Sequence, residues 1–174
     1  MLKHIAIIGI AGVLLGCSAA RQGTTRSETP PHSFAIHLVD FTPEQPWSPA
    51  TLGRLADLVL VKEPVISGAD ILSYDFATHS FLVRRSALSR LPAPSVWHKP
   101  FVLVADGQRI YLGAFGTMLS SYSSCVPTIL VDFRNFTNEL TINRAYPAPS
   151  FGTGTDPRSD ERVRVALAGL HKLK

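Results

Sequence analysis

Residues 100–113 read Pro-Phe-Val-Leu-Val-Ala-Asp-Gly-Gln-Arg-Ile-Tyr-Leu-Gly. Two apolar runs, Pro100 to Ala105 and Gln108 to Leu112, flank the pair Asp106-Gly107. An Asp-Gly step between strand-like runs is the strongest short-range hairpin signal, because its tight turn needs positive φ. The stretch therefore predicts two antiparallel strands, the first of them buried.

Working outward, Phe34 to Phe41 (FAIHLVDF) reads as a strand where order begins. Pro43, Pro46 and Pro49 forbid regular structure until a first helical turn, which tolerates proline. A short helix is expected over Thr51 to Asp57 and a strand-like run over Leu58 to Lys62. Ala69 to Tyr74 is expected to form one helical turn. Ser80 to Arg84 reads as a strand, and Arg85 to Leu91 as a short helix stopped by Pro92. Ala114 to Ser124 is small and serine-rich, hence a loop. Thr128 to Phe133 and Glu139 to Asn143 read as two further strands. From Tyr146 the chain reads YPAPSFGTGTDP, a linker. Val163, Ala166, Leu167, Leu170 and Leu173 then recur at three- and four-residue spacing, predicting an amphipathic helix over Arg158 to Leu173 with Asp156-Pro157 as cap and first turn. The sum is an α+β fold: a small single-sheet domain of six or seven short strands with two or three short helices, covered on one face, plus the C-terminal helix.

The other end of the chain reads as an address. Residues 1–17 are MLKHIAIIGIAGVLLGC. Lys3 supplies a positive start, and Ile5 to Leu15 an apolar stretch too short to span a bilayer but suited to a signal peptide. Leu14-Leu15-Gly16-Cys17 resembles the bacterial lipoprotein lipobox. That resemblance implies cleavage before Cys17 and a diacylglycerol thioether on its sulfur, with further acylation giving a stable anchor. Ser18, where an Asp would favour retention at the inner membrane, implies an outer-membrane destination facing the periplasm in a Gram-negative host. The expected organisation is a signal peptide over 1–16, a flexible tether over 17–33, the α+β domain over 34–147, and a linker with the C-terminal helix over 148–174.

Composition narrows the function classes. Hydrophobic residues make up 45% and charged residues 17% of the 174, too apolar for a disordered chain. The net charge of +4 is scattered, which argues against a nucleic-acid binder. Two cysteines are too few for a disulfide scaffold or a thiolate zinc site. With Cys17 acylated, Cys125 is the remaining thiol, expected as a buried small hydrophobe beside Val126.

Glu63 to Leu91 and the hairpin after it resemble the periplasmic head of SecD, a component of the protein-export machinery. The matching stretches are Pro64-Val65-Ile66-Ser67-Gly68-Ala69-Asp70-Ile71 and Val102-Leu103-Val104-Ala105-Asp106-Gly107. Asp70 to Asp75 with Gly113 to Phe115 also resembles a type of uncharacterised envelope lipoprotein. These resemblances imply a shared fold and, for SecD, an accessory role in protein export.

Candidate chemistry is sparse. Asp75 and His79 are four apart and would share one helical face, as acid and base of an envelope hydrolase or as two metal ligands, though a metal site needs a third ligand at recognisable spacing. A pair that caps a turn is the plainer reading, because His79 stands where a strand should begin. His37 falls on the strand face opposite Ile36 and Leu38. Trp97-His98-Lys99 offers contacts to an anionic or aromatic ligand, or a Trp packed over the sheet edge. No Gly-x-Ser-x-Gly elbow fixes Ser120, Ser121, Ser123 or Ser124 as a nucleophile, and Gly152-Thr153-Gly154 follows a linker, not a strand. Tyr74, Trp97, Tyr111, Phe115 and Tyr122 lie near the hairpin, either as core or as an exposed patch. The expectation is a non-enzymatic, lipid-anchored envelope protein with no catalytic residue, metal or cofactor. It would bind an envelope protein through Trp97, Tyr111, Phe115 and Tyr122, and no nucleic acid.

Overall fold

The computed structural model describes residues 31–174. The lipobox, Cys17 and most of the expected tether lie outside those residues. The described residues form eight strands: β1 (Phe34–Leu38), β2 (Ile66–Ser67), β3 (Ile71–Asp75), β4 (Ser80–Val83), β5 (Lys99–Ala105), β6 (Gln108–Gly116), β7 (Thr128–Leu130) and β8 (Glu139–Asn143). Three short helices accompany them, α1 (Pro49–Leu52), α2 (Arg85–Leu88) and α3 (Glu161–Gly169). All strands join one sheet in the order β2-β1-β5-β6-β7-β8-β4-β3, nearly closed and barrel-like. Every pairing is antiparallel except β6 with β7.

The Asp-Gly turn seeds this sheet. Asp106 has φ 47° and Gly107 φ 75°, the two positive values a tight hairpin requires. β5 and β6 pair from Ala105↔Gln108 out to Lys99↔Phe115, with one irregularity at Leu103/Val104. Tyr111, Gly113 and Phe115 alternate inward on β6. The missing side chain of Gly113 makes room for the Phe101 ring, which a Cβ there would overlap. That ring then packs on Phe115, with centroids 4.9 Å apart. Ile36, Tyr74, Phe81, Ile129 and Ile142 complete the interior from the other strands. Full burial of such side chains stabilises by about 1.5–3 kcal/mol each.

The sheet is covered on more than one face, where a single covered face was expected. On the outer side, Val102 packs with Val39 and Leu58, and Leu52, Leu55 and Leu60 join them. The segment around α1 is thus a lid over β5, which explains why Pro100–Ala105 is apolar without alternation. Arg109 holds that lid by donating from Nη1 to the carbonyls of Leu55, Ala56 and Leu58. On the inner side, Val163, Ala166 and Leu167 of α3 enter the main core. The C-terminal helix therefore packs on the domain through its apolar face.

Several expectations need correction. Eight strands form where six or seven were expected. Ala69 to Tyr74 is no helical turn: Asp70 closes a tight turn by accepting from Ser67 N–H and Oγ–H, and β3 follows. Ile71 and Tyr74 of β3 then bury in the core while Leu72 stays exposed, a strand pattern with an irregularity between Ile71 and Ser73. Leu58 to Lys62 contributes one bridge, Val39↔Leu60, in place of a strand. Ala114 to Gly116 belongs to β6, not to a loop. The C-terminal helix spans Glu161–Gly169, capped by Asp160, whose extended backbone breaks it from the 3-10 turn that Asp156 caps. The stretch from Tyr146 is tied down: Ser124 and Tyr146 form a bridge, and Tyr146 Oη donates to Met118 O and Ser120 O.

Candidate functional site

Asp75 and His79 do not form a working pair. Asp75 Oδ1 accepts from the amides of Ala77 and Thr78, 2.9 and 3.2 Å, so it caps the β3–β4 turn. Those two amide bonds hold its carboxyl below the usual range. His79 sits at φ 55° with its ring turned inward. Its Nδ1 lies 3.3 Å from Tyr74 Oη. Burial pushes its imidazole below the ordinary value, and the nearby Arg158 adds to that. The plainer reading of this pair, a capped turn, describes the geometry. His37 is on the outer face of β1 and shares a hydrogen bond with Val61 O.

The four expected contact residues separate into two groups. Tyr111 and Phe115 are buried in the core. They belong to the inward parity of β6, so they make no contact surface. Trp97 is half-buried and Tyr122 is exposed. Their rings meet at 4.7 Å between centroids, joining the loop before β5 to the loop after β6.

This pair forms one wall of a recess of about 150 Å³ at the end of the barrel away from the Asp106-Gly107 turn. Trp47, Pro49, His98 and Cys125 supply further walls. Trp47 is placed by donation from Nε1 to His98 O, 2.6 Å. Pro46 on one side and the Ser48 cap of α1 on the other fix the backbone around it. His98 has φ 57° and turns its ring inward beside Gly116, where a Cβ would crowd it. The ring meets Tyr146 edge-on at 5.5 Å. Its Nε2 is buried without a partner, and burial pushes its imidazole below the ordinary value. It is therefore a neutral ring at neutral pH. Cys125 is half-buried at the rim, not the core hydrophobe expected.

The recess is below the 300–1,000 Å³ usual for small-molecule pockets. Its chemistry is aromatic and uncharged, suited to an apolar or planar group brought by a larger partner. Among the described residues no group of three or more His, Cys, Asp or Glu gathers as metal ligands. Also among them, no helix is long and apolar enough to cross a membrane. Trp47 escaped the sequence reading, because its partner His98 is 51 residues away. Its one local sign was an aromatic set between Pro46 and Pro49. Comparison with family models, curated proteins and solved structures finds no match to this chain.

Proposed function

We propose that this chain is a lipid-anchored cell-envelope protein whose α+β domain is a binding module, not an enzyme. The observation that carries the anchoring is Leu14-Leu15-Gly16-Cys17 behind Lys3 and the apolar run Ile5 to Leu15. The domain supports the binding role through its Trp97–Tyr122 end, where aromatic rings stand partly free around an uncharged recess. Aromatic side chains in such a place supply large contact area at small entropic cost. The hydrolase alternative has no support in the Asp75–His79 geometry, since each side chain serves a different partner.

By the lipobox reading, the sulfur of Cys17 carries diacylglycerol and its amine a further acyl chain. Ser18 favours an outer-membrane site in a Gram-negative host. Metabolic labelling with a palmitate analogue tests this. The native chain and Cys125→Ala should take up label, and Cys17→Ala should lose it. Equal labelling of Cys17→Ala and the native chain would remove the proposal.

A further inference from the structure

We propose that the loop end of the barrel docks on the interfacial layer of a lipid bilayer. Three loops meet there, residues 92–98, 117–127 and 132–138. Ser120 Oγ donates to Val96 O at 2.7 Å, which ties the second loop to the first. Asp132 accepts from Thr117 Oγ1 at 2.5 Å and Met118 N–H at 3.0 Å, which ties the third to the second. Arg134 donates to the carbonyls of Leu91 and Pro92 and closes the ring. On this tied frame Val96, Met118, Leu119, Phe133 and Phe136 stand outward, with Leu119 85% and Phe136 81% exposed.

Four observations favour a bilayer over a protein. The apolar side chains project from loop tips, and Phe133 also borders a shallow recess beside Arg134 and Leu140. Residues 92–98 and 112–131 contain no Lys, Arg, Asp or Glu, and in the third loop Asp132 and Arg134 are bonded to the neighbouring loops, so this end offers a partner little charge to match. Several backbone groups at the tips are bonded within the protein: Met118 and Ser120 carbonyls accept from Tyr146 Oη, and Phe136 N–H donates to Phe133 O. Such groups enter a low-dielectric layer without leaving bonds unmade. Finally, the Trp97–Tyr122 pair supplies amphipathic rings of the kind that favour the headgroup zone. Arg85 and Arg134 line a recess beside the third loop and suit lipid phosphates, although Glu139 also stands near Arg134.

The chain's path allows the contact. Phe34 pairs with Ala105, so the N-terminal segment joins the domain at the hairpin end, opposite the loops. β5 covers that distance with seven residues, roughly 23 Å. Residues 17–31, ahead of the His32 and Ser33 contacts with Asp106, reach at most roughly 50 Å when extended. An anchor at Cys17 thus lets the loop end turn to the same membrane. In this respect the inference deepens the binding role proposed above and rests on it for delivery to the bilayer.

Amide hydrogen exchange of the full chain, with and without vesicles of phosphatidylcholine and phosphatidylglycerol, tests the proposal. Amides of residues 117–122 and 133–137 should slow about tenfold at lipid ten times above the apparent Kd. Residues 106–108 at the hairpin should not change. The readout is local, so an acyl chain or apolar N-terminus holding the protein on the vesicle does not imitate it. The double variant Leu119→Ser, Phe136→Ser alters only exposed side chains and should lose the protection. Absent protection, equal protection in the double variant, or protection without vesicles that grows with protein concentration would each overturn the proposal. An unmodified Cys17 with protected loops would refute the anchor alone.

Discussion

His98 shows how one residue couples strain, burial and pH. Its backbone adopts a left-handed conformation, its ring lies beside Gly116, and its Nε2 has no partner. Burial holds it below the ordinary imidazole value, and burial with Arg158 does the same for His79. The folded chain therefore binds fewer protons at these sites than the unfolded chain. Stability contributed here is present above the unfolded value near 6.5 and lost as pH falls through the folded values. Each site has a limiting slope of about 1.4 kcal/mol per pH unit. Urea unfolding between pH 7 and 5 should show this decline. His98→Phe keeps the ring volume and should reduce the slope to about half, leaving the His79 share. A slope unchanged in His98→Phe would show that His98 binds protons equally in the folded and unfolded chain, against the effect of its burial.

At the scale of elements, the hairpin carries a second duty. Asp106 accepts from Ser33 N–H at 2.7 Å and contacts His32 Nδ1 at 2.9 Å. It thereby fixes where the N-terminal segment meets β1. His32 packs in turn on Gly169 at the end of α3, where a Cβ would overlap its ring. Asp106→Ala should cost about 1–2 kcal/mol, from the lost bonds and from an alanine forced to positive φ. Amides near Phe34 should also exchange faster. Asp106→Asn tolerates positive φ and should lose less, as thermal and urea unfolding would show. An equal loss in both variants would put the effect in the charge and not in the turn.

The same scale shows what the sequence could and could not reveal. The Asp106-Gly107 turn was legible because its information is local: two residue types and the conformations they permit. β3 was missed because its burial pattern depends on an irregularity at Ile71/Ser73, which disturbs simple alternation. β7 and β8 were legible as strands. The parallel contact of β6 with β7 was not, since its partners are set by closure of the whole sheet. At the candidate site, Trp97 and Tyr122 could be named as aromatics. Whether an aromatic faces in or out depends on register: Tyr111 and Phe115 share the inward parity with Gly113, and only the pairing Phe101↔Gly113 reveals it. Trp47 had no local signal beyond its flanking prolines.

For the whole molecule, one end takes the N-terminal segment and the other presents loops with aromatic and aliphatic tips. A sheet that is nearly closed has few free edges through which to pair with another chain. That leaves side-chain surfaces as the means of contact, with the loop end the most apolar of them. On the reading proposed above, an acyl anchor holds this domain in the envelope. Intact mass measurement of the protein taken from its own membranes tests it most directly. The expected product is a chain beginning at Cys17, heavier than its peptide by a diacylglyceryl group and an acyl chain. A chain that still begins with Met1 and carries no lipid would contradict it.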